Sequence, residues 1–229
     1  MRLDKRLIVA GANVPLVSED IRLDLSAPGR AVFQVRSETE LSGLARYELG
    51  YAGQDDVVYF LGYVEASHTV DGARQRLLCR ELSAGLYGLL PISLRHPTLQ
   101  DVLAAYADLT GLEFVTPDAP YVKRRVPYFQ TLGKGFQGMM ALGDLFGVED
   151  LIWQQQGDGR IFVGSWSDSR WADRPVELDE KWFSKVGADG GKRLPVLPLL
   201  RPGAVVNGRR LLRVQLSGHE MVVQWRDYA

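Results

Sequence analysis

Cysteine, histidine, long apolar runs and an excess of either charge are all scarce in this chain, and each scarcity removes a class of function. Cys79 is the only cysteine among 229 residues, so no disulfide can form within the chain. It lies in the apolar run Leu77-Leu78-Cys79, where a small buried thiol is expected. The three histidines, His68, His96 and His219, share no close spacing with one another or with a second ligand type. A metal centre needs several converging ligands, so none is expected. No segment approaches the ~20 apolar residues of a membrane span. The opening residues Met1-Arg2-Leu3-Asp4-Lys5-Arg6 are charged, unlike a secretory signal, so folding in a reducing cytoplasm is expected. Lys and Arg number 27 against 28 Asp and Glu, a net charge of −1. That balance gives no electrostatic reason to expect nucleic acid or an anionic membrane as partner. The basic runs Lys123-Arg124-Arg125 and Arg209-Arg210 lack the aromatic interleaving of a single-strand binding platform and read as solvated or interface charges.

What is present is a folded chain, 46% hydrophobic, with enough apolar residues for a core. Residues 1–90 alternate like strands. Ile21, Leu23 and Leu25 are spaced two apart with Arg22 and Asp24 between them, Ala27-Pro28-Gly29-Arg30 reads as a turn, and Val57 to Glu65 is a long aromatic-rich strand. Asp71-Gly72 predicts a tight hairpin with positive-φ glycine. Five or six strands in this length suggest a small barrel or a sandwich.

The period then changes. Ser83 to Leu90 looks like a short helical turn, and Thr98 is a good N-cap for a helix carrying Leu99, Val102, Leu103, Tyr106 and Leu109 on one face. Gly111 suits its C-terminus. A second helix runs from Phe136 to Phe146 and stops at Gly147. Strands at Leu151 to Gln156 and Ile161 to Val163 flank Gly157-Asp158-Gly159 as a hairpin. Residues 91–172 therefore read as an α/β module in the order helix-strand-strand-helix-strand-strand. Residues 173–229 return to β, with a proline-punctuated edge strand from Leu194 to Leu200, turns at Pro202-Gly203 and Asn207-Gly208, and a final hairpin around Gly218-His219. The stretch from Gly187 to Lys192 reads as a flexible linker. The fold class is α+β, mostly β.

Candidate chemistry is thin. Gly133-Lys134-Gly135-Phe136-Gln137-Gly138 matches GxGxxG at a helix entry. A dinucleotide site would need a parallel βαβ unit and an acidic residue closing the next strand. The next strand here ends in glutamines, and Asp158 belongs to a hairpin turn, so the motif reads as a glycine-rich helix entry. Asp55-Asp56 and Glu149-Asp150 sit in turns rather than on opposed faces of a cleft, as glycosidase acids must. No nucleophile elbow is present. No catalytic, cofactor-binding or metal-binding residue is nominated, and an enzyme is not expected. Trp153, Trp166 and Trp171, with Phe162, suit core packing or a subunit contact better than a carbohydrate platform.

Several motifs in order carry a resemblance. The run Phe60-Leu61-Gly62-Tyr63-Val64, followed by Leu78-Cys79-Arg80-Glu81-Leu82-Ser83-Ala84-Gly85-Leu86, resembles the baseplate or tail-tip hub proteins of tailed bacteriophages. Thr98-Leu99-Gln100-Asp101-Val102-Leu103, Thr110-Gly111-Leu112, Phe146-Gly147 and Gly159-Arg160-Ile161-Phe162-Val163-Gly164 are similar to the α/β domain that comes next in those proteins. Arg201-Pro202-Gly203, Val206-Asn207-Gly208 and Val223-Gln224-Trp225 resemble their second β domain. The resemblance implies an N-terminal β-barrel hub domain (1–90), an α/β domain (91–172) and a C-terminal β region forming a second, shortened barrel (173–229). It also implies a structural virion protein of a Mu-like or lambda-like long-tailed phage, assembled in the host cytoplasm as a homotrimeric ring around the DNA-exit channel. Its implied partners are the distal tail or tube protein, the spike or central fibre, and the tape measure protein, with no specific nucleic acid and no membrane. Part of the outward face of Val57 to Val64, with Tyr59 and Leu61, and the strands near Leu212 to Leu216 are expected at a subunit contact. The unit T-L-x-D-V-L…T-G-L-x-F also looks like small periplasmic domains of secretins, so a secretin-like or secretion-system ring component is the alternative, ahead of a tail-associated cell-wall hydrolase.

Overall fold

The computed structural model describes residues 2–186 and 190–225. Seven strands come first: β1 (Leu3–Val9), β2 (Ala12–Val14), β3 (Leu16–Asp24), β4 (Ala27–Arg36), β5 (Leu44–Tyr51), β6 (Val57–Asp71) and β7 (Arg74–Glu81). After a 3-10 turn at Leu82–Tyr87 come β8 (Ile92–Arg95), α1 (Leu99–Thr110), β9 (Phe114–Val115), β10 (Tyr128–Thr131), α2 (Gly135–Phe146), β11 (Leu151–Gln155) and β12 (Ile161–Ser165). The chain closes with β13 (Ser184–Val186), β14 (Gly191–Pro195), β15 (Val205–Val206), β16 (Arg209–Ser217) and β17 (Glu220–Trp225). The chain is mostly β, with two α-helices among the described residues. It divides into two compact units, one joining residues up to 82 with those from 174 onward, the other spanning 83–173.

The first unit is one antiparallel sheet in the order β13-β14-β17-β16-β3-β4-β7-β6-β5-β1-β2, with β15 added on β16. The sheet curls strongly. Phe33 on β4 stacks on Tyr47 of β5 with ring centroids 5.6 Å apart, although two strands lie between them. On a flat sheet those strands would stand about 14 Å apart. Lys5 of β1 likewise reaches Glu19 of β3 at 2.6 Å. The expected barrels nevertheless do not form, since no ladder closes among the described residues. Each strand that could close one already has both edges filled: β3 pairs with β4 and β16, and β1 pairs with β5 and β2. The C-terminal strands extend the N-terminal sheet through β16 rather than building a second, shortened barrel.

Local corrections have equally local causes. Ala27 to Arg30 lies inside β4, and the turn falls at Leu25-Ser26, with Ser26 at φ 55°. The β6–β7 hairpin forms without a left-handed Gly72; Asp71 holds the turn by accepting from the Ala73 N–H at 3.1 Å and from Arg74 Nε at 2.8 Å. β14 is not an edge strand, because β13 and β17 flank it. Of the linker expected between Gly187 and Lys192, residues 187–189 lie outside the described residues, Gly190 is a turn at φ 72°, and Gly191 and Lys192 open β14.

The second unit matches the sequence signals closely. Thr98 and Asp101 form a capping box at the start of α1, and Gly111 ends it at φ 72°. Leu99, Val102, Leu103 and Tyr106 are buried, whereas Leu109 faces outward. Gly147 ends α2 at φ 61°. β11 pairs antiparallel with β12, whose other edge takes β9 in parallel, and β8 pairs with β10.

Close backbone approach in the first unit makes one glycine indispensable. A Cβ on Gly62 would stand 1.9 Å from the Arg80 carbonyl oxygen across the β6–β7 ladder, while one on Gly72 meets nothing within 4 Å. Gly62→Ala is expected to destabilise the protein by about 1–3 kcal/mol. Gly72→Ala should stay within about 0.5 kcal/mol. Urea unfolding of both variants checks the difference.

Candidate assembly site

The long strand β6 sets the geometry of the expected contact surface. Tyr47 faces Phe60 across the β5–β6 ladder, and the next pair is Glu48 with Val58, so Tyr59 is an extra, bulged residue. The bulge breaks the period of two, and Tyr59 and Phe60 are consecutive and both fully buried. Tyr59 is therefore covered by its own chain and does not supply the expected subunit contact. Leu61 and Tyr63 are half-buried, Leu44 opposite Tyr63 is exposed, and Leu212 is exposed on β16.

What covers Tyr59 is a buried polar cluster that joins distant parts of the sequence. Its hydroxyl donates to the Leu200 carbonyl at 3.4 Å, and burial pushes its pKa above the ordinary tyrosine range. The Arg201 guanidinium lies 5.6 Å from the centre of the Tyr59 ring and donates to the Tyr59 carbonyl at 2.8 Å. The same guanidinium meets Glu81 at 3.3 Å, and both side chains are almost wholly buried. The second Glu81 oxygen accepts the Gly29 N–H at 2.7 Å. A Cβ at Gly29 would stand 2.8 Å from the Glu81 carboxyl carbon, so only glycine lets the carboxylate in. Burial pushes the Glu81 carboxyl up to about 7, against the opposing pull of Arg201 and the Gly29 N–H.

Two stretches that carry the sequence resemblance, Cys79-Arg80-Glu81 and Arg201-Pro202-Gly203, thus meet at one ion pair. The sequence contained a signal for it, because the β7 alternation puts Glu81 on the same inward face as Gln75, Leu77 and Cys79. Nothing local named Arg201 as its partner.

Other singled-out residues are dispersed. His68, His96 and His219 are exposed, and no group of three or more potential metal ligands occurs among the described residues. Cys79 is buried, and burial raises its thiol pKa to about 12. Asp56 pairs with Arg6 at 2.6 Å. Asp158 bonds Arg160 in the β11–β12 turn. Trp153 is buried against Phe136, and the buried Trp171 donates its indole N–H to Gln154 at 3.1 Å, so both serve packing. In the glycine motif, a Cβ on Gly138 would lie 1.9 Å from the Tyr106 hydroxyl, which ties that glycine to helix packing. The strand after the helix is antiparallel to its neighbour, unlike a dinucleotide fold.

The two units together have a fold that occurs in solved phage tail proteins. One solved example is the 43 kDa tail protein of prophage MuSo2 from Shewanella oneidensis, at TM-score 0.70 and 11% identity, covering 99% of this chain and 98% of that one. Another is the Escherichia coli c3393 protein, a type VI secretion component described as structurally similar to the T4 tail proteins gp27 and gp5. It matches at TM-score 0.63 and 12% identity, over 100% of this chain and 77% of that one. In sequence, the chain is 33% identical over 226 residues to an uncharacterized 58.7 kDa protein of Haemophilus phage HP1. That match covers 97% of this chain and 42% of the phage protein, so the chain spans about two-fifths of its relative's length. No protein-family model matches the sequence. The resemblance to phage tail proteins read from the sequence is borne out in the fold.

The clamp gives a pH signature. The folded Glu81 pKa lies above the ordinary 4.5, so between those values the folded state holds more protons than the unfolded one. Stability from this group is full below about 4.5 and falls as pH rises towards about 7. The stability of the natural protein minus that of Glu81→Gln is expected to decline across this window, and a pH-independent difference contradicts it. At neutral pH, Arg201→Ala is expected to cost about 1–3 kcal/mol, because the buried Tyr59 carbonyl loses its donor and Glu81, without its counter-charge, takes up a proton. For the glycine motif, calorimetric titration with NAD, FAD and ATP is expected to show no saturable binding; micromolar binding at Gly133 to Gly138 would overturn the packing assignment.

Proposed function

We propose that this chain is a non-enzymatic structural component of a phage virion, a hub at the tail tip or baseplate. The observation that carries this reading is the whole-chain similarity to the MuSo2 tail protein, supported by the phage HP1 relative. In this reading identical copies close into a trimeric ring around the DNA-exit channel. The ring joins the distal tail or tube protein to the spike or central fibre, with the tape measure protein as a further neighbour. Closed symmetry is expected because a head-to-tail contact that fails to close makes fibres. The middle segment, placed at 91–172 by sequence, acts as a separately folding domain inserted between the β segments 1–90 and 173–229; its two capped helices support this. Leu61, Tyr63, Leu44 and Leu212, which keep apolar surface outside the core, are the residues nominated for the ring contact.

A second reading is a ring component of a secretion system, favoured by the similarity to c3393 over the full length of this chain. The two are separated in the particle. Cryo-electron microscopy of tails from the producing phage, with this chain tagged, is expected to locate three copies in a ring at the tail tip with Leu61 and Leu212 covered by neighbours. Tails that assemble without the chain, or a ring in which both side chains face solvent, would contradict the proposal.

A further inference from the structure

On β4 and β7 alternate residues point away from the core. Their ladder pairs Arg30 with Arg80, Val32 with Leu78, Gln34 with Arg76 and Arg36 with Arg74. These eight are exposed or half-buried, while the residues between them, from Ala31 and Cys79 to Val35 and Gln75, are buried. Five of the eight outward side chains are arginine and none is acidic. Two of the four pairs set guanidinium directly opposite guanidinium, and like charges facing each other across a ladder destabilise it. The basic row continues on one side, where Arg30 faces Arg22 of β3, and ends on the other, where Arg80 faces Tyr63 of β6. Carboxylates stand on the flanking strands: Asp20 of β3 faces Val32 and accepts from Gln215, Asp24 holds Arg22 at 3.1 Å, Glu65 holds Arg80 at 3.1 Å, and Asp71 holds Arg74. Arg30, Arg36 and Arg76 make no ion pair among the described residues. In a chain of net charge −1 this is segregation of charge onto one face, not a general basic excess.

We propose that the outward face of the β4–β7 ladder is a docking surface for the carboxylate-rich face of a partner protein. Carboxylates of the partner meet Arg30, Arg36 and Arg76, and Val32 with Leu78 form the apolar centre between the basic rows. Arginine around an apolar centre is the composition of protein interfaces. A phosphate backbone fits less well: the apolar pair interrupts the basic rows, no aromatic ring among the eight residues offers a base-stacking platform, and Glu65 and Asp71 repel a polyanion at the flank. A second copy docked across a two-fold axis would set arginine against arginine. The proposal does not depend on the tail-hub reading.

The test uses the full chain in low-salt buffer, with an alternating Glu-Val peptide and, separately, oligothymidylate as probes, read by fluorescence anisotropy. The peptide is expected to bind, more tightly than oligothymidylate, and to weaken by at least ~10-fold in the Arg30→Glu, Arg76→Glu double variant. Thermal unfolding keeps the result independent of binding: Arg30→Glu places a carboxylate between Arg22 and Arg80 and is expected to raise the melting temperature of the isolated chain. Each of four results overturns the proposal: no peptide binding, tighter binding of oligothymidylate, a double variant that binds like the natural protein, or self-association that Arg30→Glu abolishes. A lowered melting temperature in Arg30→Glu would show that the arginine row is not strained and would overturn it as well.

Discussion

The ion pair between Arg201 and Glu81 is the constraint on which the rest of the first unit depends. Taking a guanidinium and a carboxylate out of water carries a desolvation penalty of several kcal/mol per ion, offset only when the geometry is good and the remaining polar atoms find partners. Here those partners are backbone groups from elsewhere in the unit: the Gly29 N–H on β4 and the Tyr59 carbonyl on β6. The cluster can form only when β4, β6, β7 and the loop carrying Leu200 and Arg201 are all in place. Glycine at 29 is required by the carboxylate of this pair, and the bulge that turns Tyr59 inward and its hydroxyl bond to Leu200 lie beside it.

The second unit was legible because its signals are local. A capping box, two left-handed glycines and an apolar stripe are each decided within a dozen residues, and both helices begin and end close to where the sequence places them. The first unit was legible strand by strand but not as a whole. Alternation identifies β3 and β16 individually; nothing in either says that Arg213 will pair with Asp24 across 189 residues of chain. That single ladder decides between two small barrels and one continuous sheet. Bulges were invisible for a similar reason. The extra residues at Tyr59 and Glu65 interrupt a run that reads as uniform, and each reverses the facing of the residues beyond it.

The site was legible in part. The stretches around Glu81 and Arg201 stood out as motifs, but only the folded chain reveals that they meet. The expected contact residues divided: Tyr59 went to the core, while Leu61 and Leu212 kept outward surface. The role proposed above, holding neighbours in register, needs a stiff frame and well-defined outer faces more than a pocket. A curled antiparallel sheet locked by a buried ion pair supplies such a frame.

The central claim is that strands from the two ends of the chain form one cooperative sheet locked by Arg201. Native-state hydrogen exchange in increasing denaturant tests it most directly, because it reports the opening free energy of each strand separately. The account predicts that amides of β3, β4 and β7 and those of β16 and β17 merge into one global unfolding isotherm. It also predicts that Arg201→Ala lowers that isotherm for both groups together. Exchange of β16 and β17 through an independent, lower-energy opening that leaves β3, β4 and β7 protected would contradict it.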